Sequence, residues 1–414
     1  MRQPRVMVKV KRNFPSPKFI FNLIDWNFNP FGARSRKIEK CQTLDDIANL
    51  ARKRVPKVVF DYVEGAALSE ISVTRSSNAF DRIELTPKIL KDVSHLETAS
   101  LILGKSVDLP IIFAPTGYTR LMHHTGEIAA CKVAKANNLI YSLSTVGTTS
   151  PEELAMAVPN SRRWFQLYLM KDREKSLELL NQAKQNGFEV LILTVDTPVP
   201  GIRPRDNRNG LTVPPRINLK SFLSVLRKPV WWFNLITTPP LEFAAFRGWD
   251  AQLFEMATKI FESAITYEDL IWLQSVWDGP IIVKGVQSVS DALELAKLKI
   301  EGIVISNHGG RQLDRSSVPL EHLSEIVNAV GDEMEIFIDG GILSGQDVYA
   351  AIALGAKGVL IGRGYLYGIM AGGEKGMSRV IEILRRDFLN TMALMGTSNI
   401  AEVRQSQVRL RSHN

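Results

Sequence analysis

A histidine and an arginine stand three residues apart in a glycine-rich turn, within the stretch Ser306-Asn307-His308-Gly309-Gly310-Arg311-Gln312-Leu313-Asp314. The turn follows the apolar run 302–305, which is typical of a short buried strand. A histidine accepts a proton near neutral pH, and the forked arginine guanidinium binds a carboxylate through two hydrogen bonds. The pattern predicts chemistry on a substrate that carries both a carboxylate and an acidic C–H or O–H.

Other polar side chains stand where further apolar runs end. They are Pro115, Thr116, Ser144, Gln166, Tyr168, Thr194, Asp196, Lys284, Asp339 and Arg363. A single serine, threonine or glutamine at such a place usually satisfies nearby backbone groups. Because the active site of a parallel barrel forms at the carboxyl ends of its strands, the whole set predicts one shared site.

Strand-like and helix-like segments alternate from residue 111 onward, and these elements must position the site. Strands are predicted at 111–114, 139–144, 164–167, 190–195, 281–283, 302–305, 336–338 and 358–361. Helices are predicted at 126–137, in a short segment opened by Ser150-Pro151, and at 173–186, 267–276, 290–299, 319–330, 344–354 and 374–395. Eight such units predict an α/β fold, the (β/α)8 TIM barrel; an open doubly wound sheet is the alternative.

The last two units have the composition of a phosphate site. Asp339-Gly340-Gly341 and Ile361-Gly362-Arg363-Gly364 place glycines where backbone N–H groups can approach an anion, and Arg363 adds a fork of donors. The loops after strands 7 and 8 commonly hold phosphate in such barrels. Lys284 follows a buried strand, so its ammonium group needs a negative partner. A bound reduced flavin would supply that charge, and a structural salt bridge is the alternative.

The charge of the chain is concentrated at its amino terminus. Of the formal charge of +8 over 414 residues, residues 1–40 contribute ten Lys/Arg against two Asp/Glu. We therefore divide the chain into a basic arm at 1–42 and a barrel domain at 43–414. The arm either contacts an anionic surface, a membrane or a nucleic acid, or is a solvated terminus. Neither a signal peptide nor a spanning helix is predicted, and two cysteines indicate a reducing compartment.

A long connection, about 205–262, interrupts the alternation after the fourth strand. It contains aromatic residues beside prolines: Trp231, Trp232, Phe233, Pro239, Pro240, Phe243, Phe246 and Trp249. Loops of this length are usually lids, partner surfaces or disordered segments. Two interpretations stay open, an element at a membrane interface and a cover packed over the barrel mouth.

The motifs together resemble one family, the FMN-dependent α-hydroxy acid oxidases and dehydrogenases. Its signature is the stretch 306–314, and six further motifs match in order and spacing: Phe60-Asp61-Tyr62, Ala114-Pro115-Thr116-Gly117, Gln166-Leu167-Tyr168, Thr194-Val195-Asp196-Thr197-Pro198, Val283-Lys284-Gly285 and Gly362-Arg363. The resemblance extends from about Thr43 to Gln407. Within the family the chain is most similar to the quinone- or cytochrome-linked L-lactate dehydrogenases.

The resemblance implies a catalytic set around the histidine. His308 would take a substrate proton while two electrons pass to FMN, and Asp196 would orient His308 and stabilise its protonated form. Tyr168 would donate a hydrogen bond to the α-oxygen of the substrate. Arg311 and Arg203 would bind the substrate carboxylate, and Tyr62 would assist them.

The resemblance also implies which residues contact FMN. The isoalloxazine ring would lie against the backbone of residues 114–116 and the side chains of Ser144, Gln166, Thr194 and Lys284. Asp339 would bind the ribityl chain and Arg363 the phosphate. In addition to Ala114, Pro115 and Thr116, FMN contacts are predicted at Ser306, Gly341 and Gly362.

Three departures from the family pattern bear on affinity and specificity. Leu343 stands where many members carry an arginine, which removes one cation from the phosphate site. Val146 and Val63 replace larger aromatic residues of some oxidases, so the side-chain preference is open. Gly117 stands where several oxidases have alanine, a position that bears on oxygen access.

The resemblance implies oxidation of an L-2-hydroxy acid, L-lactate first, to the 2-oxo acid, with electrons passed to a quinone or cytochrome. The alternatives are an oxidase that forms peroxide and a flavin enzyme that oxidises a modified peptide. The resemblance further implies a cytoplasmic homo-oligomer, by analogy a tetramer, that can contact the inner face of the cell membrane. No metal site and no nucleic-acid partner are predicted for the barrel domain.

Overall fold

Eight parallel strands close into a barrel. The computed structural model describes Ser16, Lys18 and residues 33–210, 224–247, 264–404 and 406–412. The barrel strands are β1 (Ile111–Thr116), β2 (Ile140–Ser144), β3 (Arg163–Leu167), β4 (Val190–Thr194), β5 (Ile281–Val286), β6 (Gly302–Ile305), β7 (Glu335–Asp339) and β8 (Gly358–Ile361). Each strand pairs with the next, and β8 pairs with β1. The predicted TIM barrel is confirmed, and the open sheet is wrong.

Alternate residues of the strands fill the barrel interior in layers. The central cluster is mostly aliphatic and fully buried: Ile112, Ile140, Trp164, Ile192, Ile282, Val304, Phe337 and Leu360. A hairpin of the strands Ser100–Ile102 and Lys105–Val107 closes the amino end, since Ile102 and Val107 join the same cluster. Farther along the strands the same inward positions become polar: Ser144, Gln166, Thr194, Lys284, Ser306 and Asp339. The interior therefore changes from apolar to polar at the carboxyl end.

One helix follows each strand on the outside of the barrel. The helices are α1 (Gly126–Ala136), α2 (Pro151–Ala157), α3 (Arg173–Gln185), α4 (Tyr267–Val276), α5 (Val289–Lys297), α6 (Pro319–Val330), α7 (Gly345–Ala353) and α8 (Arg363–Met395). The short helix α2 begins as its sequence predicts, with a capping box between Ser150 and Glu153 and a proline at the first helical position. Local capping chemistry therefore fixes where this helix starts.

The last helix was predicted only in its second part. The structure has the predicted helix at 374–395, but α8 begins earlier, at Arg363 immediately after β8, and non-helical Gly372 and Gly373 separate its two parts. The first part packs against the helix Leu44–Arg54, where a Cβ on Gly364 would lie 3.2 Å from Leu44 Cδ2. Close packing therefore compensates for the low helix propensity of this glycine-rich segment.

Elements outside the barrel repeat were not predicted individually. They are the helices Ala33–Glu39, Leu44–Arg54, Lys57–Glu64, Ile71–Phe80, Thr119–Met122, Pro204–Asn209, Pro229–Ile236 and Ile400–Arg404, the 3-10 turns Ala244–Phe246 and His308–Gly310, and the strand pair Ile83–Thr86 with Gln407–Leu410. Most of the basic arm lies outside the described residues. Its last part is the helix Ala33–Glu39, whose Ile38 is buried beside Gly372.

The described part of the long connection both covers the barrel mouth and presents apolar side chains to solvent. Phe243 is buried against Tyr118, with ring centroids 5.1 Å apart, and Trp231 Nε1 donates to Leu121 O at 2.9 Å. On the helix Pro229–Ile236, by contrast, Phe233 and Ile236 are 57% and 69% exposed. The cover packed over the barrel mouth is thus present among the described residues, and the element at a membrane interface stays a prediction. Trp249 lies outside the described residues.

Candidate functional site

A cavity of about 690 Å³ opens at the carboxyl ends of the strands. Its wall includes most of the predicted site residues: Tyr62, Ala114, Pro115, Thr116, Ser144, Tyr168, Arg203, Lys284, His308, Arg311, Asp339, Gly341, Gly362 and Arg363. The other four, Gln166, Thr194, Asp196 and Ser306, lie directly behind that wall. Its size suits a cofactor with a small substrate.

His308 is held in an unusual backbone conformation at the edge of this cavity. Its φ of 56° lies in the left-handed region, which is costly for a residue with a side chain. Two hydrogen bonds retain the turn: His308 N donates to Ser306 Oγ at 3.0 Å, and Gly310 N donates to Asn307 Oδ1 at 3.1 Å. The backbone turn at 306–310 therefore orients the imidazole of His308.

Asp196 and Tyr168 flank the imidazole on opposite sides. Asp196 Oδ1 lies 3.0 Å from His308 Nδ1, and the Tyr168 hydroxyl lies 3.5 Å from His308 Nε2. A carboxylate on Nδ1 favours the tautomer with its proton there, which leaves Nε2 as the acceptor. The ring therefore presents a base toward Tyr168 and the cavity.

The charge state of Asp196 suits this arrangement. Burial alone would raise the pKa of Asp196, but the charge and hydrogen bond of His308 and the charge of Lys284 hold it below its usual value. Burial raises the pKa of Tyr168 strongly, so its hydroxyl keeps its proton as a donor. Asp196 is thus anionic and Tyr168 neutral over the working range of an enzyme.

Two arginines face the same space. Arg311 Nη1 donates to the carbonyls of Tyr62 and Gly65 at 2.7 and 2.8 Å, and its guanidinium lies 5.0 Å from the centre of the Tyr62 ring. Burial lowers the pKa of Arg311 to about 10. Arg203 Nε donates to Asp206 Oδ2 at 2.8 Å. A carboxylate that enters here meets two fixed cations. The contact between Arg203 and Asp206 was not predicted from the sequence.

Lys284 is paired within the protein. Its ammonium group lies 2.9 Å from Asp339 Oδ2 and donates to Ser306 Oγ at 2.8 Å. Burial would lower the pKa of Lys284, but the charges of Asp339 and Asp196 raise it, so the ammonium stays charged. The structural salt bridge that the sequence left as an alternative is present, and Lys284 still lines the cavity.

The polar layer retains unused hydrogen-bonding capacity that fits a flavin. Gln166 Nε2 and Asp339 Oδ1 are buried and make no hydrogen bond within the described part of the chain. Such atoms are costly unless a ligand or water meets them. Gln166 offers a donor where the resemblance places the isoalloxazine ring, and Asp339 offers an acceptor where it places the ribityl chain. FMN requires both kinds of group.

Another part of the cavity wall has the backbone geometry of an anion cradle. Gly340 and Gly341 have φ of 89° and 82°, and Gly362 begins α8 without a side-chain cap. The first N–H groups of α8 are therefore free of intrahelical partners and carry the positive end of the helix dipole. The sequence placed glycines here but did not predict the helix start.

Arg363 is oriented differently from the simple expectation of a phosphate ligand. It donates through Nε to Val63 O at 3.0 Å, through Nη1 to Gly309 O at 2.9 Å and through Nη2 to Gly65 O at 3.2 Å. Two of its five N–H groups remain for a ligand. With Leu343 in place of an arginine, these two N–H groups and the backbone N–H groups at the start of α8 are donors that this part of the cavity offers to an anion.

The buried carboxylate of Glu127 connects two loops of the site. It was not predicted from the sequence. Glu127 is fully buried in α1 and accepts hydrogen bonds from Thr119 N, Thr148 N, Thr148 Oγ1 and Thr149 Oγ1. These donors belong to the loops after β1 and β2, which form one wall of the cavity. An acidic residue in the first turn of a helix was the only local signal.

Among the described residues, no group of acidic, histidine and cysteine side chains could hold a metal ion. In the same part of the chain, no helix combines the length and the apolar character that are needed to cross a bilayer.

Comparison with known sequences identifies relatives over most of the chain. The family model of the FMN-dependent dehydrogenases matches residues 51–410. A protein of Mycobacterium tuberculosis (strain ATCC 25618 / H37Rv) named "Putative L-lactate dehydrogenase" is 43% identical, with 95% of each chain covered. Human 2-hydroxyacid oxidase 1 is 36% identical, covering 88% of this chain and 96% of its own.

Solved structures agree with the sequence relatives. A structure titled as that of the monotopic membrane protein (S)-mandelate dehydrogenase superposes with a TM-score of 0.86 at 31% identity, covering 90% of this chain and all of the other. Mandelate oxidase superposes with a TM-score of 0.77 at 32% identity, covering 90% of this chain and 99% of its own. By its sequence, its barrel and its cofactor cavity, the chain belongs to the FMN-dependent dehydrogenase family.

Proposed function

We propose that this protein oxidises an L-2-hydroxy acid, L-lactate first, to the corresponding 2-oxo acid. The observation that carries the proposal is the placement of His308 Nε2 beside Tyr168, with Asp196 on the other ring nitrogen. A base, a neutral donor and an adjacent pair of guanidinium groups match the α-carbon, α-oxygen and carboxylate of one small substrate.

Each residue has a distinct task in this reaction. Arg311 and Arg203 bind the substrate carboxylate, and Tyr168 donates to the α-oxygen. His308 accepts one of the two protons that the oxidation releases, and Asp196 stabilises the imidazolium that forms. Bound FMN supplies the acceptor for the two electrons.

The walls of the cavity leave room for substrate side chains of different sizes. Val63 and Val146 line the cavity, and Val146 Cγ2 would lie 2.5 Å from a Cβ on Gly117. Val146 fills the space beside Gly117, but as a small aliphatic residue it leaves more room than the larger residue of some oxidases. The choice of L-lactate as the first substrate is supported by the named activity of the mycobacterial relative.

The test is anaerobic reduction of the purified flavoprotein by a panel of L-lactate, D-lactate, glycolate, (S)-mandelate and a 2-hydroxy acid amide. We expect L-lactate to bleach the flavin absorbance fastest and the D-enantiomer and the amide to leave it oxidised. If no member of the panel reduces the flavin, the proposal is wrong, and a peptide substrate becomes the leading alternative.

We further propose that electrons pass from the flavin to a quinone or cytochrome at a membrane. The apolar side chains on the helix Pro229–Ile236 and the adjacent exposed Arg227 support this proposal, because such a surface suits an anionic bilayer. The structural relative described as monotopic also agrees. An oxidase is the alternative, and peroxide formed from L-lactate in air at the full rate of flavin reduction would establish it.

A further inference from the structure

We propose that Asp206 is a positioning residue, which orients Arg203 and thereby sets the affinity of the site for the substrate carboxylate. The inference rests on the proposed function, in which Arg203 is one of the two carboxylate-binding groups. Asp206 itself lies behind Arg203 and is not among the residues that line the cavity.

The hydrogen bond between the two side chains determines which edge of the guanidinium is available. Arg203 Nε donates to Asp206 Oδ2 at 2.8 Å, and Asp206 is only 7% exposed. Within the described part of the chain, this is the single hydrogen bond recorded for the Arg203 side chain. The two terminal nitrogens of Arg203 are therefore left for a ligand, and they form the edge that binds a carboxylate in a forked manner.

Asp206 also supplies negative charge to a crowded group of cations. Arg203, Arg311 and Arg363 all line the cavity. Gly65 lies between these cations and Asp206. Its carbonyl accepts from both Arg311 and Arg363, and a Cβ on Gly65 would lie 3.7 Å from Asp206 Oδ1. The carboxylate of Asp206 thus opposes the mutual repulsion of the guanidinium groups before the substrate anion arrives.

The second oxygen of Asp206 argues against a purely structural role. Asp206 Oδ1 is buried and makes no hydrogen bond to any described residue. A buried carboxylate oxygen without a donor destabilises the fold, unlike Asp314, whose oxygens accept from Ser69 N and Ser72 N. The favourable interaction of Asp206 is with Arg203, so a role in orienting that side chain explains its burial.

The experiment measures anion binding without turnover. Oxalate, a planar dicarboxylate that resembles a deprotonated 2-hydroxy acid, is titrated into the oxidised holoenzyme and followed by the flavin absorbance. We compare the wild type with Asp206→Asn and Asp206→Ala. The control is Asn209→Ala on the same short helix, which removes the hydrogen bond from Asn209 Nδ2 to Asp61 Oδ2 but not the contact to Arg203.

We expect the dissociation constant for oxalate to rise about tenfold in Asp206→Ala, the loss expected for a hydrogen bond to a charged group. The rise is smaller in Asp206→Asn, whose amide oxygen still accepts from Arg203 Nε but carries no charge. The KM for the hydroxy acid rises in parallel, while kcat changes much less. Unchanged oxalate affinity in both variants, or an equal loss in Asn209→Ala, overturns the proposal. Because the titration needs no turnover, it remains decisive even if no 2-hydroxy acid reduces the flavin.

Discussion

At the scale of single residues, the site consists of an imidazole whose two nitrogens have separate partners. Asp196 contacts Nδ1 and the Tyr168 hydroxyl approaches Nε2. The carboxylate fixes the tautomer, stabilises the charged form and leaves the other nitrogen to the substrate. The strained φ of His308 shows that the chain accepts a local cost to aim this ring.

The first prediction concerns Asp196. Asp196→Asn keeps the volume but removes the charge that stabilises the imidazolium, so we expect the rate of flavin reduction by L-lactate to fall about a thousandfold. The FMN content is expected to stay at the wild-type level, because Asp196 lies behind the cavity wall. Anaerobic stopped-flow reduction measures the rate, and a loss smaller than about tenfold would contradict the role of Asp196.

The second prediction is a pH dependence. Burial lowers the pKa of Arg311 to about 10, so its positive charge is lost as the pH rises through that value. Because kcat/KM reports the free enzyme, we expect kcat/KM for L-lactate to fall above about pH 10 while kcat changes less. A kcat/KM that stays constant to pH 11, in a range where the fold is intact by circular dichroism, would contradict this expectation.

The residues that line the cavity or lie directly behind its wall were the predictable ones. His308, Asp196, Lys284 and Asp339 follow apolar runs, and parallel strands bring such positions to one end of a barrel. Glu127 was missed because its donors lie on other loops, which only the tertiary structure brings to it. Asp206 was missed because the short helix Pro204–Asn209, which brings it to Arg203 three residues earlier, was not predicted.

At the scale of elements, the start of α8 determines the shape of the cofactor cradle. Gly362 follows β8 and precedes the first N–H groups of the helix. Among the described residues, a Cβ at this position would have Ala114 Cβ as its single near neighbour, at 3.9 Å, so the surroundings that they form are open. That open space faces the cavity, since Gly362 lines it.

The third prediction concerns the open space beside Gly362. In Gly362→Val the added side chain occupies the cradle, so we expect FMN to bind about tenfold more weakly, as overpacking costs on the order of 1–3 kcal/mol. The apoprotein should melt at nearly the same temperature as the wild-type apoprotein, because no protein atom is displaced. Fluorescence titration of the apoprotein with FMN measures the affinity, and a wild-type value would contradict this use of Gly362.

The fourth prediction concerns the connection between loops. Glu127→Ala leaves four buried donors without their acceptor, so we expect the free energy of unfolding to fall by about 3 kcal/mol. Glu152→Ala, in the exposed first turn of α2, is the control and should change stability little. Urea unfolding of the holoenzyme measures both, and equal stability of the two variants would show that Glu127 does not secure the loops.

The elements were predictable where their hydrophobic period is strong. All eight strands were placed to within a few residues, because each is a mostly apolar run whose residues are mainly buried on both faces. The first part of α8 was missed because Gly364, Gly368, Gly372 and Gly373 lower its intrinsic helix propensity. Packing against the helix Leu44–Arg54 stabilises it instead.

At the scale of the whole molecule, the barrel mouth lies beside an apolar surface. The helix Pro229–Ile236 is bound to the mouth through Trp231 and has no buried residue. Its exposed apolar side chains and that of a residue three positions before the helix are Val230, Phe233 and Ile236 with Leu226. An apolar surface next to the flavin cavity fits an acceptor that resides in a membrane.

The fifth prediction tests this surface. We expect the wild type to sediment with phosphatidylglycerol vesicles, and the double variant Phe233→Ser/Ile236→Ser to bind about a hundredfold more weakly, since each of the two apolar side chains contributes on the order of 1–2 kcal/mol. The matched control is Ile89→Ser/Leu90→Ser, at an exposed apolar pair elsewhere, with 80% and 99% exposure. Equal binding of all three proteins would exclude this helix as the membrane contact.

The central claim is that His308 is the base in the oxidation of a 2-hydroxy acid, and the purified His308→Ala flavoprotein tests it most directly. Mixed anaerobically with L-lactate, this variant is expected to remain yellow, with the FMN content of the wild type and no bleaching on the time scale in which the wild type is fully reduced. Rapid bleaching of the variant by L-lactate would contradict the account.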